Sequence, residues 1–248
     1  MNHRILVTGA RRGIGAALAL GLARPGTTLL LHHVGAAEQA GTVAERCRDL
    51  GAETEILDAD LAEPAAVADL ARRAGDVDVL INNAARASNV AIEAMTVDEW
   101  QATFAVNVTA PMLLAQTLGS AMAERGWGRI INVVSPTVVL GGPSGPAYVS
   151  SKAALIGLTR SLARALGPGG VTVNALSPGA VRTEGEDELA ATTGRDTADL
   201  HTPVVARQAI PRALVPEDLV ATVRLLASDG SAALTGQVLE VGAGLVFR

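Results

Sequence analysis

From end to end, this chain alternates short apolar runs with longer stretches rich in Ala, Leu, Glu and Arg, and that alternation limits what it can fold into. Strands are expected over residues 5–7, 29–32, 53–57, 79–81, 130–134, 171–176 and 238–241. Most of these runs are continuously apolar, the pattern of strands covered on both faces of a parallel sheet. Helices are expected over 16–23, 37–50, 65–74, 97–118, 147–166 and 217–227. Thr96-Val97-Asp98-Glu99 reads as a capping box for the fourth of these, and Pro216 suits the first turn of the last. Parallel strands need crossover connections, so the alternation predicts an α/β fold. The expected architecture is a single-domain Rossmann-type doubly wound parallel β-sheet flanked by helices on both faces, spanning 1–248. One excursion, about 182–215, shows no strand pattern, and a long excursion in a compact domain reads as a substrate loop or lid. Its acidic start, Glu184, Glu186, Asp187 and Glu188, reads as solvated surface.

Composition narrows the function classes. Hydrophobic residues make up 49% of the chain and aromatics only 2%, so Ala, Val and Leu must fill the core. A net charge of −5 argues against a nucleic-acid partner. No apolar run is long enough to span a bilayer, so no membrane partner is expected. Met1-Asn2-His3-Arg4 runs into the first strand without a signal pattern, which points to a cytoplasmic protein. Cys47 is the only cysteine and reads as an inert, half-buried thiol. His32 and His33 read as partly buried strand residues; no third ligand accompanies them, and no metal site is expected.

The first strand leads into Thr8-Gly9-Ala10-Arg11-Arg12-Gly13-Ile14-Gly15 and then a helix. Glycines allow the backbone to turn sharply beside a phosphate, and the helix N-terminus presents free N–H groups and a positive dipole end to a pyrophosphate. An acidic residue about 20 positions on would hold a ribose 2′-hydroxyl. The sequence there is Leu31-His32-His33-Val34-Gly35, with no acid, while Arg12 within the turn can meet a 2′-phosphate. NADP(H) is therefore favoured over NAD(H), with His33 at the ribose end. Asp60, before Leu61, suits either an adenine amino group or a helix N-cap.

Tyr148 is the only tyrosine, and Lys152 lies one helical turn further on, so both side chains share a face. A free phenol titrates near about pH 10, and a neighbouring ammonium lowers that value. The pair can thus exchange a proton with a substrate oxygen. Ser135 follows the expected strand 130–134, at the carboxyl edge where doubly wound sheets bind ligands, and can donate to an oxygen gaining negative charge. Asn82-Asn83 and Ser177-Pro178-Gly179 end two more strands on that edge.

With these motifs the chain resembles the short-chain dehydrogenases/reductases of about 250 residues, nearest their ketoacyl-reductase-like branch. The family's Thr-Gly-x-x-x-Gly-x-Gly matches Thr8 to Gly15, and its Asn-Asn-Ala-Gly matches Asn82-Asn83-Ala84-Ala85. Its helix asparagine matches Asn107, its serine Ser135, its Tyr-x-x-x-Lys Tyr148 to Lys152, and its Pro-Gly motif Pro178-Gly179, followed by Val181 and Thr183. The resemblance implies hydride transfer between a nicotinamide nucleotide and a carbonyl or alcohol. It makes Tyr148 the proton donor, Lys152 the modulator of the phenol and a ribose ligand, Ser135 the polariser of the substrate oxygen, and Asn107 the holder of a relay water. It also implies a homotetramer or homodimer built through the long helices. Three departures stand out: Ala85 for the last glycine, Pro136 after the serine, and Val241-Gly242-Ala243-Gly244 for the usual Val-Asp-Gly-Gly. Ala85 is expected to be tolerated, Pro136 to reshape the substrate pocket, and the third change to affect subunit contacts. Two rival readings are a non-redox enzyme on the same fold, such as an epimerase or dehydratase, and a non-catalytic nucleotide-binding regulator. The Ser135/Tyr148/Lys152/Asn107 set argues against the regulator, which has no use for a proton relay.

Overall fold

The computed structural model describes residues 3–184 and 202–247. Among these, seven strands form one sheet: β1 (His3–Val7), β2 (Thr27–His33), β3 (Glu53–Asp58), β4 (Val79–Asn82), β5 (Gly128–Val133), β6 (Val171–Pro178) and β7 (Val238–Val241). Their order is β3-β2-β1-β4-β5-β6-β7 and every pairing is parallel. This is the doubly wound architecture expected from the alternation. The order reverses between β1 and β4, so a crevice opens at their carboxyl ends, as it does in open α/β sheets generally.

Two large apolar clusters cover the two faces of the sheet. One gathers Val7, Leu18, Leu29, Leu31, Ile81 and Leu219; the other gathers Leu6, Leu30, Leu70, Leu80, Leu114 and Ile130. Consecutive residues of β1, β2 and β4 go to opposite clusters, which explains why these runs carry no polar alternation. Cys47 is fully buried, not half-buried, and burial pushes its thiol up to about 11. His32 and His33 are likewise fully buried.

The first helices are α1 (Gly13–Leu22), α2 (Ala37–Asp49) and α3 (Pro64–Ala74). The helix expected over 97–118 continues to Glu124 as α4 (Val97–Phe104), α5 (Ala110–Leu114) and α6 (Ser120–Glu124), joined by π-helical turns at Ala105–Thr109 and Ala115–Gly119. Pro111 has no N–H to offer the carbonyl four residues earlier, and a widened turn is a common answer to such a gap. Gly119 does not stop the helix. A Cβ there would lie 2.8 Å from Leu166 and 3.2 Å from Ile130, so its bareness serves close packing. Thr96 caps α4 by accepting from the Glu99 N–H at 3.1 Å. The carboxylate of Glu99 pairs with Arg86 at 2.7 Å.

After β5 come α7 (Thr137–Leu140) and the long α8 (Pro146–Leu166). Pro216 opens a 3₁₀ turn, Pro216–Leu219, ahead of the last helix, Val220–Leu226. The excursion is clamped at its base, where Val181 pairs with Leu214 and the Arg182 N–H bonds the Leu214 carbonyl at 2.9 Å. Glu186, Asp187 and Glu188 lie outside the described residues.

The altered C-terminal motif packs on the sheet edge. The Gly179 N–H bonds the Val241 carbonyl at 3.0 Å, and a Cβ on Gly179 would lie 2.7 Å from the Gly242 Cα. Ala243 has φ 52°, a left-handed conformation that costs a residue with a Cβ roughly 1–2 kcal/mol. Ala243→Gly is therefore expected to stabilise the fold by about 0.5–1 kcal/mol, after the extra chain entropy of glycine is subtracted. Urea denaturation at fixed protein concentration checks this; an unchanged or lower midpoint would contradict it.

Candidate active site

A cleft of about 390 Å³ opens over the carboxyl ends of β1, β2 and β4. Gly9, Arg11, Arg12, Gly13, Ile14, Gly15, His33, Asp60, Leu61, Asn83, Ala84, Ala85 and Thr183 all line it. The glycine turn is tight enough to require its residues. A Cβ on Gly15 would lie 2.2 Å from the Gly9 carbonyl oxygen, and Gly9 has φ 67°. Asn83 holds the turn from β4, donating to the Thr8 and Gly9 carbonyls at 2.9 and 3.2 Å. The Thr8 hydroxyl in turn accepts the N–H groups of Asn83 and Ala84, both at 3.0 Å.

The turn presents donors to an anion. The Gly13 N–H, at the N-terminus of α1, already donates to a Glu184 carboxylate oxygen at 3.0 Å. A carboxylate there occupies the kind of position a phosphate oxygen takes at a helix N-terminus. Glu184 thus has a partner in the turn and is not simply solvated surface. Arg11 reaches Gln39 on α2 at 2.7 Å, and Arg12 lies on the cleft wall. Asp60 accepts from the Ala62 N–H at 2.9 Å, a side-chain turn ahead of α3. It does not cap a helix as its alternative role required, because α3 begins at Pro64 with Glu63 at the N-cap position, but it does line the cleft.

The second group of residues lies where α8 crosses the end of β5. Lys152 is 2% exposed, and its Nζ donates to the Val133 carbonyl at 2.7 Å. That ammonium lies 5.6 Å from the Tyr148 ring centre, so the two side chains do share one helix face. Burial pushes the Lys152 ammonium down to about 8. No carboxylate pairs with it among the described residues. Ser135 lies two residues past the end of β5, not directly after it as expected. Pairing there continues through the Val134 N–H to the Leu176 carbonyl at 2.8 Å. Asn107 sits in the first π-helical turn. Its side chain accepts from the Arg86 N–H at 2.8 Å and donates to the Arg86 carbonyl at 3.1 Å and to Ser151 at 2.9 Å. Its own carbonyl faces the residue four positions on, Pro111, which has no N–H.

A model of the short chain dehydrogenase family matches residues 3–194. The chain belongs to the short-chain dehydrogenase family. It is 36% identical over 248 residues to the Rhizobium meliloti protein named "Probable galactose dehydrogenase GalD", covering 98% of this chain and 95% of that one. It is 33% identical over 247 residues to a 3-oxoacyl-[acyl-carrier-protein] reductase of Synechocystis, covering 98% and 96%. Among solved structures it is similar to a 3-oxoacyl-(acyl-carrier-protein) reductase from Agrobacterium tumefaciens with NADP bound. The TM-score there is 0.89 at 32% identity, covering 97% of this chain and 93% of that one. Like these relatives, the protein is an NAD(P)-dependent oxidoreductase.

The structure also shows site residues that the motifs of a short-chain dehydrogenase do not announce. The Gly9 N–H donates to His32 Nδ1 at 3.1 Å, so Nδ1 must be unprotonated and Nε2 carries the proton. Nε2 then donates to the Ala59 carbonyl at 3.0 Å. One neutral imidazole thus joins the ends of β1, β2 and β3 beneath the cleft, and burial holds its pKa below the usual histidine value. A sequence signal was available for Lys152. Of 20 basic residues it is the only lysine, the others being 19 arginines. Arginine cannot give up its proton in a buried site, whereas lysine can.

Proposed function

We propose that the protein is an NADP(H)-dependent reductase that interconverts a ketone or 3-oxo group and a secondary alcohol. The observation that carries the reading is the chain's only lysine, fully buried, set against its only tyrosine. A buried ammonium with no carboxylate partner among the described residues stabilises a phenolate on Tyr148. When bound, the nicotinamide supplies the hydride. In reduction, the Tyr148 hydroxyl gives its proton to the substrate oxygen while Ser135 donates a hydrogen bond to the same oxygen. Lys152 holds the resulting phenolate and reaches the nicotinamide ribose. The Asn107 carbonyl, lacking an N–H donor at Pro111, is suited to hold the water that returns a proton.

Gly9, Arg11, Arg12, Gly13, Ile14 and Gly15 cradle the pyrophosphate and 2′-phosphate. His33, Asp60 and Leu61 bound the adenosine, Asn83, Ala84 and Ala85 the adjoining ribose, and Pro178, Gly179, Val181 and Thr183 the nicotinamide. Residues 182–215 form the substrate segment. The long helical run 97–124 and α8 form subunit contacts in a homotetramer or homodimer, and Val97 and Trp100 are exposed apolar residues on that run.

Arg12 is the test of nucleotide choice. A charge-assisted hydrogen bond to a 2′-phosphate contributes roughly 1.5–3 kcal/mol, a preference of about ten- to a hundredfold. Catalytic efficiency with NADPH is expected to exceed that with NADH by such a factor, and Arg12→Ala to erase most of it. A ratio below one, or one untouched by the substitution, would overturn the assignment.

A further inference from the structure

Ser135 is buried to 7% exposure, and one neighbour, Thr137, contacts its Oγ twice. The Thr137 N–H donates to Ser135 Oγ at 3.3 Å, and Thr137 Oγ1 lies 2.9 Å from the same atom. A serine hydroxyl has one proton to give and two lone pairs to receive with. The backbone N–H can only donate, so it occupies one lone pair. When the Thr137 hydroxyl donates to the other, Ser135 has nothing left but its own proton, directed away from Thr137.

We infer that Thr137 is a positioning residue that makes Ser135 an obligate hydrogen-bond donor to the substrate oxygen. The inference rests on the proposed role of Ser135. Its consequence runs in both directions of the reaction. A carbonyl oxygen needs a donor as negative charge builds on it. An alcohol brings one proton of its own, which must go to the Tyr148 phenolate. A serine with a vacant lone pair would compete for that proton and hold the alcohol in an unproductive orientation. Thr137 removes this competitor. The chain Thr137 O–H to Ser135 O–H to substrate oxygen also strengthens its last link, because successive hydrogen bonds polarise one another.

The local sequence supports the arrangement. Pro136 precedes Thr137 with φ −66° and ψ −15°, close to helical values, and offers no N–H of its own to compete for Ser135. Thr137 is the first residue of α7, which ends after a single turn at Gly141 with φ 72°. The β-branch of threonine restricts its χ1, so Oγ1 is held toward Ser135 at little entropic cost.

The test uses the full-length protein, NADPH and a verified carbonyl substrate. Thr137→Val keeps the shape and the backbone N–H but removes the hydroxyl. It is expected to lower kcat roughly 3- to 10-fold, the range for one neutral hydrogen bond, with nucleotide affinity and thermal midpoint unchanged. Thr137→Ser is expected to restore the rate. In a Ser135→Ala background, Thr137→Val is expected to add no further loss, since the two groups act as a unit. If Thr137→Val does not fold, Thr137→Ala is read the same way. A wild-type kcat in Thr137→Val, failure of Thr137→Ser to restore it, or an equal loss in the Ser135→Ala background would overturn the inference. Wild-type turnover in Ser135→Ala alone would be a different failure, that of the proposed role of Ser135.

Discussion

Tyr148→Phe is expected to lower kcat by about two to four orders of magnitude, the range over which a positioned general acid acts. The ring, which lies beside the Lys152 ammonium, is retained, so folding and nucleotide affinity should change little. The variant has a built-in control. Tyr148 is the only phenol in the chain, so the phenolate absorbance band reports this one group in the wild type and disappears in the variant. The alkaline rise of that band should coincide with the basic limb of the pH–rate profile. A variant that turns over at a comparable rate, or a band that rises away from the basic limb, would remove Tyr148 from the chemistry.

Replacing Lys152 by Met is expected to raise stability while abolishing turnover. The ammonium is fully buried, and burial brings its pKa from 10.5 to about 8. That difference of about 2.5 units corresponds to about 3 kcal/mol at 1.36 kcal/mol per unit, a cost to the fold whenever the group is charged. Methionine carries no charge but gives up the bond to the Val133 carbonyl, which is worth about 1 kcal/mol. The net expected gain at pH 7 is about 2 kcal/mol. Because the folded-state pKa is depressed, the unfolded chain binds more protons between pH 8 and 10.5. Wild-type stability therefore rises relative to the variant across that window; the gap closes within it and is slightly reversed by pH 10.5, where the bond to the Val133 carbonyl outweighs the remaining charge cost. Denaturation curves at pH 7 and pH 10.5 check this, and the sole lysine allows one labelled resonance to report the pKa directly. A variant less stable at pH 7, or a gap that does not depend on pH, would contradict the account. A group that costs stability and is nevertheless present in a core is the pattern of a site optimised for function.

The parallel sheet was legible because each strand is buried on both faces, so Ile5 to Val7 and Leu29 to Leu31 read as unbroken apolar runs. Ser135, Tyr148 and Lys152 were legible because their spacing places them on one sheet edge and one helix face. What stayed hidden depends on contacts between distant positions. His32 meets Gly9 and Ala59, which lie 23 and 27 residues away along the chain. Glu184 meets Gly13 across 171 residues, so its acidic surroundings gave no hint of the glycine turn. The helix expected over 97–118 runs on to Glu124, because Gly119 makes room for Leu166 and Ile130 within it. The place inferred for Thr137 is hidden for another reason: it depends on the contacts to Ser135 Oγ, and a motif records residue types, not hydrogen bonds.

The central claim, that Tyr148 and its neighbours carry a hydride transfer to a carbonyl carbon, is tested most directly by following a labelled hydride. NADPH deuterated on the transferring face of C4 is incubated with the protein and a panel of ketones, 3-oxoacyl thioesters and aldose-derived lactones. The products are then analysed by mass spectrometry. The account predicts an alcohol with one deuterium on the former carbonyl carbon, one equivalent of oxidised nucleotide, and formation of both slowed about a hundredfold or more with Tyr148→Phe. Product formed without deuterium and without net loss of NADPH, as an epimerase or dehydratase would give, would contradict it.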